Sequence, residues 1–199
     1  MIPHFDQYTA LLLIDVQQGL DAPGWGARNN PHAERRMLEL LAAWRQRGWP
    51  VVHVQHDSVE PDSPLRPEHA GNAVKPGFEP APGEPLFRKT VNSAFIGTGL
   101  EAHLREAGIG SLVVVGLTTD HCVSTSVRMA GNLGFDVVVV DDATATFERT
   151  GPAGDAWSAE QMHRVALASL DGEFARVAST ANVLSGLPAP VTATGAAGA

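Results

Sequence analysis

Short uninterrupted runs of apolar residues alternate along the chain with segments in which apolar residues recur at helical spacing. Apolar runs of this length are typical of buried parallel strands. Six such strands are expected, at about 10–16, 51–55, 86–90, 112–116, 137–141 and 174–178. The alternation of strands and helices predicts an α/β fold with three αβα layers. Its open, mostly parallel, six-stranded Rossmann-like sheet would carry helices on both faces.

Residues with strong positional preferences predict where the helices begin and end. Asn30 is followed by a proline, which is typical of an N-cap and first helical position, and Gly48 is a typical C-terminal stop. Thr98 and Glu101 have the spacing of a capping box, for a helix that ends at Gly108. The four predicted helices span about 31–47, 98–107, 120–133 and 158–170.

The length of 199 residues favours one domain, which we place at residues 1–186. Residues 187–199 form a low-complexity tail, which we expect to be disordered. Within the domain, the segment 57–85 contains seven prolines and three glycines and shows no apolar period. A loop of this length is typical of a lid or a subunit contact, although composition alone is equally compatible with a surface insertion.

Charge and hydropathy narrow the possible partners and location. The net charge of −8 and a pI near 5.4 argue against nucleic-acid binding, which requires clustered Lys and Arg. The apolar run Tyr8–Ile14 is closed by Asp15 and has no basic flank, so it predicts neither a signal peptide nor a membrane span. We therefore expect a soluble, cytoplasmic protein with no nucleic-acid or membrane partner.

The one cysteine of the chain, Cys122, follows a predicted strand and should lie in the first turn of a helix. A lone cysteine excludes an internal disulfide and a multi-cysteine metal site. At a helix N-terminus, free backbone N–H groups and the helix dipole stabilise a thiolate and can hold an oxyanion. Without that context a lone cysteine is more often a small buried hydrophobic residue.

Two further residues stand where chemistry is expected in such a sheet. Asp15 ends the first strand, and burial would raise its pKa and suit it to accept a proton, although an aspartate there often caps a turn. Lys89 follows the third strand, and a lysine near a thiol lowers the pKa of the thiol. Taken by itself, Lys89 is more often a solvated side chain. Ligands in open α/β sheets bind beyond the carboxyl ends of the strands, which is where these residues should lie.

Three ordered segments resemble the isochorismatase-like cysteine hydrolase superfamily. They are Leu-Leu-Ile-Asp15-Val-Gln-Gln, Arg-Lys89-Thr-Val-Asn-Ser-Ala-Phe and Gly116-Leu-Thr-Thr-Asp-His-Cys122-Val. The superfamily includes nicotinamidases, N-carbamoylsarcosine amidase, ureide hydrolases and streptothricin hydrolase. The resemblance implies a catalytic triad of Asp15, Lys89 and Cys122, with a cis peptide before Thr118. It also implies an oxyanion hole formed by the backbone N–H groups of Thr118 and Cys122.

The resemblance implies a hydrolase of non-peptide C–N bonds that acts on a small amide, ureide or lactam through an acyl-thioester, without a cofactor. Nicotinamidases hold a metal through an Asp-x-His segment, and His56 and Ser58 stand at those positions here. A metal-assisted nicotinamidase that uses His56, Asp57 and His69 is therefore one alternative. A catalytically silent binding or assembly module on the same fold is another.

The resemblance also places residues around the substrate. It implies pocket walls at Gln17, Trp25, His56 and Phe95, although Trp25 could equally cover the edge of the core. His121, beside the thiol, is expected to point away from it. The superfamily generally forms homo-oligomers, and the Pro-rich loop 57–85 is the expected contact.

Overall fold

Six parallel strands form the central sheet, which confirms the predicted fold class. The computed structural model describes residues 5–189, so most of the predicted tail at 187–199 lies outside the described residues. The spatial strand order is β3-β2-β1-β4-β5-β8, and a separate two-stranded hairpin pairs β6 with β7. The strands are β1 Thr9–Ile14, β2 Val51–His56, β3 Leu86–Lys89, β4 Ser111–Leu117, β5 Asp136–Ala145, β6 Arg149–Thr150, β7 Ala156–Trp157 and β8 Arg176–Ala178.

Five α-helices cover the two faces of the sheet. Alternate residues of the central strands point to opposite faces, so Leu11 and Leu13 pack on one side and Leu12 and Ile14 on the other. The first side is covered by α1 and α5 and the second by α2, α3 and α4. The helices are α1 Ala33–Arg47, α2 Leu100–Glu106, α3 Ser124–Asn132, α4 Ala159–Leu170 and α5 Thr180–Gly186. Within the described residues, none of these helices is long and apolar enough to cross a membrane.

Two of the predicted helix starts are wrong. Helix α1 is preceded by His32 rather than Asn30, whose φ is +43° and whose amide donates to the carbonyl of Asp141 at 2.8 Å. Asn30 therefore ties the segment before α1 to β5, through the carbonyls of Asp141 and Thr144, instead of capping a helix. The capping box at Thr98 does not form, because Thr98 donates its hydroxyl to the Ala94 carbonyl at 2.6 Å and the helix starts one residue later than its spacing requires.

The helix predicted from residue 120 begins as a different structure. Residues Thr119–Val123 form one π-helical turn, and regular α3 starts at Ser124. The terminal strand is shorter than predicted, and the hairpin β6–β7 and helix α5 were not predicted. The helix at 158–170 is confirmed, with a capping box between Ser158 and Gln161.

Candidate active site

The strand order has its switch point between β1 and β4, where the chain stops adding strands on one side and starts on the other. Ligands bind at such points in open α/β sheets. Asp15 comes directly after β1, and Cys122 lies in the π-helical turn that follows β4. Lys89 ends the edge strand β3, two strands away from β1. The three predicted triad residues therefore all lie at the carboxyl edge of the sheet.

The amine of Lys89 is at the centre of this group. Its Nζ donates to Asp15 Oδ2 at 2.7 Å and to Cys122 Sγ at 3.2 Å, and it lies 3.1 Å from His56 Nδ1. An ammonium group has three N–H donors, one for each of these three partners. Lys89 and Asp15 are only 1% and 2% exposed. Lys89 therefore fixes the carboxylate, the imidazole and the thiol relative to one another.

Asp15 keeps one oxygen available for a proton. Oδ1 of Asp15 is buried and has no hydrogen-bond partner among residues 5–189. A carboxylate oxygen of Asp15, a ring nitrogen of His56 and Sγ of Cys122 all lie within 4.8 Å of one another. An unsatisfied buried acceptor costs free energy, so its presence beside the thiol is better explained by catalysis than by stability.

Burial sets the resting protonation of both groups. It raises the pKa of the Cys122 thiol, and the negative charge of Asp15 raises it further against the opposing effect of Lys89. Burial also raises the pKa of Asp15, again against the effect of Lys89. The raised pKa of Cys122 favours a neutral thiol, although a helix N-terminus was expected to stabilise a thiolate there, and the raised pKa of Asp15 increases the basicity of its carboxylate. The helix N-terminus does not outweigh the loss of hydration.

The backbone approaches very closely at the end of β4. Gly116 has a φ of +124°, and a Cβ at this position would lie 2.0 Å from the carbonyl oxygen of Ile14. The Leu117–Thr118 peptide is cis, which confirms what the resemblance implied. The Thr118 carbonyl then accepts hydrogen bonds from the N–H groups of His121 at 3.2 Å and Val123 at 3.1 Å. These contacts close the turn that carries the thiol.

Distant residues hold the same turn from outside. Thr119 hydrogen-bonds His163 Nδ1 of α4 at 2.9 Å, and the Asp120 carboxylate accepts from the Thr146 hydroxyl and from Arg149 Nε at 3.2 Å. Burial alone would raise the pKa of Asp120, but these partners hold it below its usual range. None of these anchors was identified from the sequence, because each pairs residues at least 26 positions apart.

Asn92 is a further residue of the site that was not predicted. Its side-chain oxygen accepts a hydrogen bond from the Cys122 thiol at 3.6 Å. The sequence could have indicated Asn92, because it lies in the segment Arg-Lys89-Thr-Val-Asn-Ser-Ala-Phe that carries the family resemblance. His121, by contrast, is exposed as expected, with 56% of its side chain accessible.

A cavity of about 700 Å³ opens beside His56. Trp25 lines it as predicted, with its indole Nε1 donating to the Gly19 carbonyl at 2.8 Å and its ring stacked on Phe147. Most of the remaining lining residues belong to the Pro-rich loop 57–85, so this loop forms a large part of the cavity wall. The lining residues are Ala22, Gly24, Trp25, His56, Ser58, Glu60, Pro61, Asp62, Ser63, Pro64 and Leu65.

Two of the four predicted wall residues are elsewhere. Gln17 is fully buried, and its amide donates to the carbonyls of His56 at 3.0 Å and Asn72 at 2.8 Å and accepts from the His56 N–H. It therefore holds His56 in place rather than lining the cavity. Phe95 packs against Phe135, with ring centroids 6.0 Å apart, in the hydrophobic layer formed with α2 and α3. The resemblance implied walls at Gln17 and Phe95, and neither side chain lines this cavity.

The alternative metal set does not come together. Asp57 accepts from Arg88 at 2.8 Å, and His69 Nδ1 accepts from the Gly71 N–H at 2.9 Å. Among the described residues, the one group of three candidate ligands whose donor atoms converge is Asp15, His56 and Cys122. The Lys89 amine already contacts all three of these side chains.

Comparison with known proteins agrees with this geometry. A model of the isochorismatase domain matches residues 9–182. The isochorismatase family protein YrdC of Bacillus subtilis is 42% identical over 90% of this chain and 96% of its own length. Streptothricin hydrolase of Streptomyces noursei is 39% identical over 70% of this chain and 50% of its own length. A crystal structure of an isochorismatase-family protein from Chromobacterium violaceum is 50% identical, with a TM-score of 0.89 over 94% of this chain and 97% of the other.

Proposed function

The chain belongs to the isochorismatase family, and from this premise we propose that it is a metal-independent cysteine amidohydrolase. It would cleave a C–N bond of a small-molecule amide, ureide or lactam through an acyl-thioester on Cys122. The observation that carries the proposal is that Sγ of Cys122 lies within 4.8 Å of a carboxylate oxygen of Asp15, a buried residue whose Oδ1 has no hydrogen-bond partner within residues 5–189. A hydrolase with this site has both a nucleophile and its base.

Acylation begins with loss of the thiol proton. Asp15 accepts the proton while Sγ attacks the carbonyl carbon, so the buried thiol never has to persist as an unpaired anion. The raised pKa of Asp15 makes it a stronger base than an ordinary aspartate. Collapse of the tetrahedral adduct breaks the C–N bond, and the proton on Asp15 passes to the leaving nitrogen. The products are a free amine or ammonia and an acyl-thioester.

Deacylation repeats the same steps with water. Asp15 takes a proton from water, the resulting hydroxide attacks the thioester carbonyl, and the C–S bond breaks. The proton returns to sulfur, which regenerates the thiol and releases the acid. In both halves the negative oxygen would be held by the backbone N–H groups of Thr118 and Cys122, which lie on the turn beside the nucleophile.

Lys89 gives the site a fixed positive charge without a metal. Its contacts with Asp15, Cys122 and His56 stabilise negative charge as it moves from the carboxylate to the sulfur and back. Burial, and after it the charge of Lys89, lower the pKa of His56, so this imidazole is neutral at physiological pH and can accept from the amine. In the proposed mechanism, Lys89 therefore supplies the positive charge that a metal would otherwise provide.

The test is hydrolysis of a panel of amides, ureides and lactams, read as release of ammonia or amine. Cys122→Ala and Asp15→Asn should each lower kcat by at least about a thousandfold, because each removes a group that acts as part of one unit. Mass spectrometry of the wild type should find the acyl group on Cys122, the one cysteine of the chain. Hydrolysis at the normal rate by Cys122→Ala would exclude the mechanism.

Removal of metals with a chelator distinguishes the metal-independent hydrolase from the metal-assisted nicotinamidase. Turnover should survive dialysis against a strong chelator, and loss of activity that zinc, iron or manganese restores would favour a metal-dependent nicotinamidase. No turnover on the whole panel, together with ordinary reactivity of the thiol toward alkylation, would favour a silent module on the same fold.

A further inference from the structure

The charged side chains that line the cavity beside His56 are acidic. Of its eleven lining residues, three are titratable: His56, Glu60 and Asp62. Glu60 and Asp62 are exposed, and neither forms an ion pair with any cation among residues 5–189. His56 joins this cavity to the candidate site, because one of its ring nitrogens lies within 4.8 Å of Cys122 Sγ. The cavity wall therefore places two uncompensated carboxylates on the side of His56 that faces away from the sheet-edge site.

The cations on the neighbouring elements do not compensate this charge, because each has a carboxylate of its own. Asp57, next to His56, forms an ion pair with Arg88 at 2.8 Å. The Arg88 guanidinium is therefore already neutralised and does not offset the charge of Glu60 and Asp62. The other cation–carboxylate pairs near the cavity are Arg28 with Glu34, Lys75 with Asp21 and Glu34, and Arg66 with Glu68.

We propose that the substrate of this site carries a positive charge away from its scissile bond and carries no carboxylate. This inference rests on the proposed function. An ammonium or guanidinium group on the substrate would lie against Glu60 and Asp62 while the amide carbonyl reaches Cys122 past His56. A carboxylate on the substrate would meet two like charges on the same path.

The remaining surface of the cavity fits the same class of ligand. The indole of Trp25 is held in place by its hydrogen bond to Gly19 and its stack on Phe147, and indole is the aromatic group that attracts cations most strongly. Pro61, Pro64 and Leu65 add an apolar wall. A volume of about 700 Å³ lies within the range of about 300–1,000 Å³ that holds drug-sized ligands. The substrate is therefore larger than a minimal amide, partly apolar and cationic.

The test is a series of three amides that share one acyl group and differ at the far end of the amine, which bears an ammonium, a hydroxyl or a carboxylate. For the wild type, kcat/KM should be about tenfold higher for the ammonium member than for the hydroxyl member, and lowest for the carboxylate member. In the double variant Glu60→Gln/Asp62→Asn the ratio of kcat/KM for the ammonium member to that for the hydroxyl member should fall from about tenfold to about one. High salt should reduce the preference of the wild type.

The matched control is Glu106→Gln/Glu173→Gln, which changes the net charge equally at the amino-terminal edge of the sheet. Glu106 ends α2 just before β4, and Glu173 lies just before β8. This control should leave the preference unchanged. A wild type that prefers the carboxylate member, or a preference that survives in Glu60→Gln/Asp62→Asn, would overturn the inference.

Failure of the proposed function is distinguishable from failure of this inference. If no member of the series is hydrolysed and Cys122 is not acylated, the hydrolase mechanism fails. The charge preference is then read from binding of the same three compounds to Cys122→Ala by calorimetry. Tighter binding of the ammonium member, lost in the triple variant with Glu60→Gln and Asp62→Asn, would still support it, and equal binding of all three would reject it.

Discussion

Burial of the proposed catalytic residues Asp15 and Cys122 lowers the stability of the fold and increases the basicity of Asp15. Burial raises the folded-state pKa of Asp15, against the charge of Lys89, so the contribution of Asp15 to stability is lost as pH rises through that pKa. The same shift makes the carboxylate a better base for the neutral thiol of Cys122. The cost to folding and the benefit to proton transfer therefore come from the same loss of hydration.

The raised pKa of Asp15 determines the acid side of the expected pH profile. The base form of Asp15 exists only above its pKa, which burial raises from the ordinary value of 3.8. We expect kcat/KM to fall as pH drops through that raised value, so the acid limb lies above pH 3.8. The measurement is kcat/KM between pH 4 and 9 on an active amide. A profile that rises toward low pH would contradict the role of Asp15 as the base.

Gly116 makes a second prediction at the scale of one residue. In Gly116→Ala the new Cβ would lie 2.0 Å from the Ile14 carbonyl and would be strained at a φ of +124°. We expect a loss of at least about 3 kcal/mol in the free energy of unfolding, because two backbones would have to separate. The measurement is urea unfolding followed by circular dichroism.

The matched variant for this test is Gly134→Ala. Gly134 also has a positive φ, of +83°, but a Cβ there meets nothing within 4 Å. Only the backbone strain remains, so the loss should be about 1 kcal/mol. Equal losses in the two variants would show that contact with Ile14 does not matter.

Among the secondary-structure elements, the strands were predictable and the helix starts were less so. The apolar runs that became β1, β2, β4 and β5 are buried on both faces, so their composition carried the signal. Asn30 and Thr98 have side chains suited to capping, but Asn30 bonds the Asp141 carbonyl more than 100 positions away and Thr98 bonds Ala94. Each side chain could either cap a helix or bond another carbonyl. Local sequence patterns do not show which bond forms, because that depends on which elements lie close together in the fold.

A buried ion cluster fixes the elements around the cavity. Lys75 Nζ of the Pro-rich loop donates to Asp21 Oδ1 at 2.5 Å and to Glu34 Oε1 at 2.6 Å, and Arg28 donates to both oxygens of Glu34. Burial alone would raise the pKa of Glu34, but these two cations lower it to about 2. The carboxylate of Glu34 on α1 therefore holds together the Pro-rich loop, through Lys75, and the segment after Trp25, through Arg28.

Glu34→Gln should destabilise the fold by about 2 kcal/mol at pH 7, since it leaves Lys75 buried with one carboxylate partner fewer. The sign of the pH dependence follows from the lowered pKa. The contribution is fully present above pH 4.5 and is lost as pH falls toward 2. Urea unfolding at several pH values should show the gap between variant and wild type narrowing below pH 4.5. A gap that stays constant down to pH 3 would exclude this role of the Glu34 charge.

For the whole molecule, the site could be predicted only where its residues lie in ordered motifs. Lys89 ends β3, Asp15 directly follows β1 and Cys122 lies in the turn after β4, and the parallel sheet brings these strand ends to one edge. The carboxylates of Glu60 and Asp62 lie on a loop without periodicity, so nothing in their spacing indicates that the loop folds against Trp25. The contact between Gln17 and Asn72 also joins distant segments. The proposed nucleophile was therefore accessible from sequence, whereas the cavity wall that we propose to contact the substrate required the tertiary fold.

The outer edge of the sheet predicts how copies of the chain associate. Strand β3 has one open edge, and Leu86, Val91 and Ile96 on it and directly after it are 38%, 43% and 51% exposed. An open strand edge with exposed apolar side chains favours pairing with a second chain. We expect a homo-oligomer whose mass in sedimentation velocity is a multiple of 21.0 kDa.

The variant Val91→Asp/Ile96→Asp should shift this oligomer toward monomer, because it places charges on the proposed contact. Val165→Asp, on α4 and 60% exposed in the wild type, is the control for a charge on an apolar surface elsewhere and should leave the mass unchanged. Val59→Asp tests the Pro-rich loop, where Val59 is 66% exposed. Dissociation in Val59→Asp but not in Val91→Asp/Ile96→Asp would move the contact to the loop. In that case a second subunit would lie beside Glu60 and Asp62, close to the cavity that Val59 adjoins in sequence.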